Sequence, residues 1–563
     1  MAMAINPHTI AHWLRGRNRM LFGAYLLLAL AIMLPMLRPG YILTLDMAFT
    51  PELRLPEHLT SSYIFYAALH YLNFIVPSQI LQKAMLSLIL LLSGIGMHLL
   101  VAYLQSIDKR GPTYTTASAY LAGALYMVNP FTYSRFMAGQ FAVLLGYALL
   151  PFFVRALLRF IARPDWNRAA QLAAWITAVS IVSVHSLGLV AMLTAVSLAL
   201  AAWRYRRQGS HVKRLFVRGL AVIAAVAVLS GYWLVPLLAG ANTTAQAIDG
   251  FTAADRQAFA TLGTNIADKL GNVLQLQGFW AEGRFLYRLP QYQLPLWGLV
   301  VLGLWALVAV GSIGLWRRGQ RFAVLLLGFS AVLAVLLAIG GVPSWISSWP
   351  LIAGYREPHK FVALLALAYA VFAGYGAAYL LERCKQRGRE TLLIFAATAL
   401  LLLPVTLTPG MWWGFNNQLV PRQYPAGWRD MQDYLNRDRS DSRVLFLPWH
   451  LYMSFRFSDR IIVNPADKYF DKPVIASNDL EFNGAAPTFP DEEKRRIGML
   501  LSRASERRSI GKNLETFNIK YVLLAKDNDY EQYSYLDRQT DLVPVAENAD
   551  LKLYVNRAYK EQR

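Results

Sequence analysis

The chain has 563 residues, 56% of them hydrophobic and 16% charged, with a mean hydropathy of +0.33 and a formal net charge of +21. That composition excludes an ordinary soluble domain and a disordered chain, and leaves a polytopic membrane protein. A single cysteine, Cys384, excludes a disulfide framework and indicates no thiol chemistry.

The first apolar segment, Met20–Leu37, follows "HWLRGRNR" and runs into "LRPGY" without a small-residue cleavage site, so it reads as a retained helix. Further spans are expected near 79–105, 113–128, 139–160, 168–183, 186–204, 215–238, 293–316, 321–340, 361–381 and 391–407, about eleven in all. Gly146 and Pro151 predict a break or kink within 139–160. Only "VSVHSLG" joins the fifth and sixth spans, which predicts a tight antiparallel pair or a re-entrant element. With "RGRNR" inside, the inner connections are "SIDKRGP", "RALLRFIARPDWNR", "WRYRRQGSHVKRLFVR", "WRRGQR" and "ERCKQRGRE", each of them basic. Anionic headgroups at that face account for most of the surplus charge, and nucleic acid is not needed as a partner. An odd number of spans then puts the C-terminal region outside.

The first outer loop begins "RPGYILTLDMAFTPELRLPEH", with Asp46 between Leu45 and Met47 just past the first span. An acid at an apolar membrane surface is costly without a function or a partner. Burial would also raise its pKa toward that of a usable base. A salt bridge to an arginine of another outer loop is the structural alternative. Glu52 and Glu57 follow in a more polar context and are weaker choices. In the second outer loop, "MVNPFTYSRFMAGQ", Pro130 ends a helix, and Arg135 and Gln140 precede the next span. Arg135 either binds an anion or snorkels to headgroups. His185 stands at a sharp outer turn. The loop 239–292 is apolar enough to predict interfacial amphipathic helices.

The fifth outer loop ends "YREPHKFVALLALAYA", which sets Arg356, Glu357, Pro358, His359 and Lys360 directly before an apolar helix. A helix N-terminus attracts anions. Arg356, His359 and Lys360 would build a phosphate site there, the arginine by a bidentate grip and the lysine as a point charge, with Glu357 orienting Arg356. An interfacial cap with Pro358 at the helix start is the alternative.

No span follows 408. "YPAGWRDMQDYLNRD" predicts a short helix with Trp428, Met431 and Leu435 on one face. "SRVLFLP", "NIKYVLLAKD" and "DLKLYVN" predict strands, and "EEKRRIGMLLSRASERRS" an amphipathic helix. The aromatic loops "LPWHLY" and "NPADKYF" either contact a sugar chain or pack on the membrane half.

These features together resemble the GT-C superfamily of polytopic glycosyltransferases: a long membrane half, a lone acid early in the first outer loop, cations beside later helix starts and an outer α/β region. "NPFTYSRFMAGQ" and "YREPHKFVALLALAYA" are similar, more narrowly, to the YfhO-like and large mycobacterial arabinofuranosyltransferase branches. The resemblance implies a polyprenyl-phosphate sugar donor, transfer outside the cytoplasm and inversion at the anomeric carbon. It puts Asp46 in the place of the first-loop catalytic acid. Many members carry a paired acid there and "TLDMA" carries one, which leaves a divalent metal open, and no metal ligand is assigned.

The expected architecture is a polytopic α-helical GT-C-like membrane module over 1–407, with an extracytoplasmic soluble α/β domain over 408–563. It is expected in the cell membrane with its N-terminus cytoplasmic. The expected function is transfer of a sugar from a polyprenyl-phosphate donor to an extracytoplasmic glycan or glycolipid. Asp46 is the expected base; Arg356, His359, Lys360 and Arg135 are expected on the donor phosphate; Glu357, His185 and Gln140 are expected to support them. A flippase of lipid-linked glycans is a second class, but the internal repeat and intramembrane acids common in transporters are not evident. A non-catalytic assembly subunit is a third, and would tolerate Asp46→Asn.

Overall fold

The computed structural model describes residues 17–107, 115–239, 257–283, 287–341, 355, 357–478 and 491–561. In chain order the membrane half carries α1 (Arg17–Met33), α2 (Tyr63–Asn73), α3 (Ser78–Ser106), α4 (Thr115–Met127), α5 (Pro130–Met137), α6 (Phe141–Ala162), α7 (Trp166–Val182) and α8 (Val184–Tyr205). It continues with α9 (Gly209–Leu229), α10 (Gly231–Leu238), α11 (Ile266–Leu274), α12 (Trp297–Arg317), α13 (Arg321–Gly340), α14 (Val362–Gln386) and α15 (Glu390–Leu407).

The expected spans are helical over most of their described residues, the exceptions lying at 128, 139–140, 183, 230 and 294–296. Among the described residues eight helices are long and apolar enough to cross a membrane (α1, α3, α6, α8, α12, α13, α14 and α15), or nine if α9 and α10, bent by 82°, cross as one. The other two expected spans, α4 and α7, show 13 and 17 residues, fewer than the about 20 that a crossing needs. α6 runs through Pro151 without interruption, and the chain breaks before it, at the Gly139–Gln140 turn.

α14 is the enclosed central helix, packed against α4, α12 and α13. It meets α12 backbone to backbone. A Cβ at Gly311 would run into Phe372 O, and one at Gly376 into Leu307 O, so only glycine permits this approach. The rigid seating fixes the start of α14, where Glu357, His359 and Lys360 lie. Cys384, near the other end, is buried. A thiol test of sidedness therefore needs a cysteine introduced on an exposed turn such as Gly388.

The C-terminal domain holds α16 (Ala426–Asn436), β1 (Arg443–Leu447), β2 (Tyr452–Ser454), β3 (Ile461–Val463), β4 (Val474–Ile475), α17 (Glu492–Ser502), β5 (Ile519–Ala525), β6 (Leu542–Glu547) and β7 (Leu551–Asn556). Five strands form one sheet in the order β4-β1-β5-β7-β6, parallel at β4-β1-β5 and antiparallel beyond. Trp428, Met431 and Leu435 of α16 are buried in the same core as Val444, Phe446 and Leu523, one face of the sheet. Ile497 and Leu501 of α17 are buried with Leu445, Leu447 and Val522, the other face. The predicted helices and strands are present.

The hairpin β2–β3 was not predicted. It stands apart from the sheet and pairs Tyr452 with Val463 and Met453 with Ile462. Its second strand takes Leu45, in the loop between α1 and α2, as a parallel neighbour. Leu45 N donates to Ile461 O at 3.0 Å, and Val463 N to Leu45 O at 2.6 Å. A second stitch joins Tyr41 and Arg422 through both backbone groups. The domain and the membrane half therefore share backbone hydrogen bonds at the loop that carries Asp46.

Candidate active site

Asp46 sits at the tip of a tight turn. Met47 N donates to Thr44 O at 2.7 Å, Thr44 N to Met47 O at 3.1 Å, and Asp46 N to Ala138 O at 3.0 Å. The turn lies against Gly139, where φ is +69° and any Cβ would collide with Met47. Leu45, at φ +28°, is outside the regions that L-residues favour, and its two bonds to β3 hold it there. The Asp46 carboxylate is half-buried and receives a donor on each oxygen: Gln140 Nε2 at 3.1 Å on Oδ2 and Tyr452 OH at 2.7 Å on Oδ1.

Gln140 also faces a buried ionic cluster. Its Nε2 lies 3.3 Å from Glu357 Oε1, and its Oε1 accepts from Arg135. Glu357 Oε2 binds Arg135 Nη1 at 2.9 Å and Lys360 Nζ at 3.4 Å, while Trp280 Nε1 donates to Oε1 at 3.2 Å. Arg135 Nη2 donates to His359 Nδ1 at 3.1 Å, and His359 Nε2 donates to Gln277 O at 3.0 Å. That assigns His359 the neutral Nε2–H tautomer. The Arg135 guanidinium lies over the Phe279 ring at 4.2 Å.

The structure thus brings Asp46, Arg135, Gln140, Glu357, His359 and Lys360 into one connected network. Arg135 and His359 are fully enclosed, and Lys360 keeps only an edge, 6% of its surface. Of the three, only Lys360 is open to solvent. Arg356 lies outside the described residues. His185 stands apart: its ring meets Tyr355 edge-on at 5.5 Å, its carbonyl accepts from Tyr355 OH, and Tyr355 stacks on Phe361 at 5.0 Å. The loop expected on the bilayer surface behaves differently in its second part. After α11, residues 276–282 are buried against the cluster, so Trp280 and Gln277 became part of the site.

Glu282 of that segment, also not singled out from sequence, is 4% exposed and accepts from Gly278 N at 2.8 Å. Burial pushes its carboxyl up from 4.5 to about 7, against backbone amides and Arg135, which lower it. In the folded state it holds its proton to about pH 7; unfolded, it loses it near 4.5. Its effect on stability therefore worsens as pH rises through that window and levels off above it. Glu282→Gln keeps an acceptor for Gly278 and cannot ionise. Its melting advantage over the parent is expected to grow from pH 5 to pH 8, toward a ceiling of about 3 kcal/mol. Thermal melts in detergent at both pH values check this, and a constant gap would contradict it.

Beside Asp46 opens a cavity of about 530 Å³, walled by Phe49, Tyr66 and Phe141, by Arg54 and Glu57 of the first loop, and by Lys468 of the C-terminal domain. Aromatic faces with a polar rim of both signs suit a polyhydroxylated ligand.

A family model described as "Alpha-(1->3)-arabinofuranosyltransferase, N-terminal GT-C domain" matches residues 61–552. The chain belongs to this GT-C family. Among solved structures it is similar to the cryo-EM structure of the arabinofuranosyltransferase AftD from Mycobacteria, with TM-score 0.66 and 16% identity, over 96% of this chain and 40% of that one. A mutant of AftD gives TM-score 0.59 at 17% identity, over 96% and 42%. The apo crystal structure of ArnT from Cupriavidus metallidurans gives 0.47 at 12%, over 98% and 100%. No curated protein matches the chain. The chain spans about two fifths of the length of the AftD structures it resembles. The AftD likeness is one of fold, and it includes the C-terminal domain as well as the membrane half. Here the side-chain donors on Asp46 are an amide and a phenol, Glu357 is engaged by two cations, and among the described residues no three His, Cys, Asp or Glu converge. The described residues therefore provide no all-protein cage for a divalent ion, and no step below uses one.

Proposed function

We propose that the chain is a membrane glycosyltransferase that moves a sugar from a polyprenyl-phosphate donor to an extracytoplasmic glycan or glycolipid, with inversion and with Asp46 as general base. The observation that carries this reading is one carboxylate, oriented by Gln140 and Tyr452 and lining a cavity of about 530 Å³. The family description supports a glycosyl donor and favours arabinofuranose as the sugar.

In the proposed reaction an acceptor hydroxyl in the cavity gives its proton to Asp46 while its oxygen bonds to the anomeric carbon. The bond from that carbon to the phosphate oxygen breaks on the opposite side, and its electron pair stays on the phosphate. Cations must hold that charge. Lys360, at the edge of the cluster, and Arg356 are the residues we assign to it. Arg135 and His359, enclosed as they are, fit a different task from the phosphate contact expected of them: Arg135 holds Glu357 and Gln140, and through Gln140 the base, while His359 braces Arg135 against Gln277 O. His185 supports the start of α14 through Tyr355. The same reading places the reaction on the outer side, with the module boundary at 407/408, where α15 ends.

Kinetics with varied donor and acceptor test the donor assignment. Lys360→Ala removes a charged contact of about 1.5 kcal/mol, so kcat/KM for a polyprenyl-phosphoryl arabinofuranose should fall about tenfold with acceptor KM unchanged. A defect confined to acceptor KM would remove Lys360 from the phosphate.

A further inference from the structure

The donor on Asp46 Oδ1 comes from the C-terminal domain, 406 residues along the chain. Tyr452 begins β2, outside the five-stranded sheet, and its cross-strand partner is Val463. Val463 N in turn donates to Leu45 O, beside Asp46. The phenol is thus located relative to the carboxylate by a ladder of backbone bonds, not by its side chain alone. Two more contacts seat the same domain on the same loop: Tyr424 OH donates to Phe49 O at 3.1 Å, and Arg54 Nη1 to Asp467 O at 3.2 Å. Lys468, next in sequence, lines the cavity into which the carboxylate faces.

We propose that Tyr452 is a positioning residue for Asp46, so that the C-terminal domain completes the catalytic centre of the membrane half; the inference rests on Asp46 being the base. Gln140 from the membrane half and Tyr452 from the outer domain hold one carboxylate oxygen each. A residue that only seated the domain would need the ring and not the hydroxyl. The hydroxyl stabilises the ionised carboxylate over its protonated form, because it donates to the charge.

The full-length Tyr452→Phe variant keeps the ring and removes that donor. Without it Asp46 takes a proton more readily, so the acidic limb of the pH profile of kcat/KM, measured with polyprenyl-phosphoryl arabinofuranose and an arabinan acceptor, should move to higher pH by about one unit. On the plateau, kcat should fall about tenfold with KM values and Tm close to the parent's. In an Asp46→Asn background the same change should have no further effect on rate, since the two act as one unit. An unmoved limb, with or without a lower Tm, assigns Tyr452 to packing alone and overturns the inference. Full activity in Asp46→Asn would instead remove the base assignment beneath it, so the two failures are distinguishable.

Discussion

Glu357→Ala is expected to lose most of the folded protein. Glu357 is 4% exposed and is the shared anion of Arg135 and Lys360, as well as the acceptor for Trp280 and a neighbour of the Gln140 amide. Deleting it leaves two buried cations without that anion. Breaking a buried pair costs about 3–5 kcal/mol, a large share of the roughly 5–15 kcal/mol that holds a typical domain together. Glu357→Gln keeps the shape and two of the acceptor contacts, so it should be milder. The double variant Arg135→Met/Glu357→Met should recover part of the loss, because it removes a charge with its partner instead of stranding it. Monodisperse yield and Tm in detergent give the ranking: parent, Glu357→Gln, the double variant, then Glu357→Ala. A parental Tm for Glu357→Ala would mean that the cluster does not stabilise the fold.

The helices were legible because a bilayer imposes long apolar runs, a signal carried within each segment. The strands β1, β5 and β7 and the apolar face of α16 were legible for the same local reason. Sidedness placed Asp46, Arg135, Gln140 and Glu357–Lys360 among the outer loops, but not their order of contact. That order follows from Glu357, which pairs with both Arg135 and Lys360 and so ties them into one ionic cluster. Counting cations in a sequence does not reveal which of them an acid already neutralises. Tyr452 was legible only as one aromatic of "LPWHLY", read as contacting a sugar chain or packing on the membrane half; its bond to Asp46 was not, since that partner is 406 residues away and its strand is three residues long, too short for an alternating pattern. Trp280 and Glu282 did leave a trace, an aromatic and an acid in an apolar loop, but it reads equally as a surface helix until Trp280 is seen to donate to Glu357.

The second large effect is expected at Asp46. An acceptor hydroxyl is a poor nucleophile until a base takes its proton, and a positioned base contributes about 10²–10⁴-fold. Asp46→Asn cannot take that proton. The variant should still fold: its carbonyl can accept from Tyr452 OH, while its amide faces Gln140 Nε2. The cluster around Glu357 is untouched, so the Tm should stay near the parent's and donor binding should be retained. A transporter or an assembly subunit with this fold would show no comparable loss.

Single-turnover transfer, with purified enzyme in excess over polyprenyl-phosphoryl arabinofuranose and an arabinan acceptor, separates the chemical step from binding and product release. Parent and Asp46→Asn should bind the donor alike, while the variant transfers the sugar about 10²–10⁴-fold more slowly. A folded Asp46→Asn enzyme that transferred at the parent's rate would contradict the assignment of Asp46 as the base.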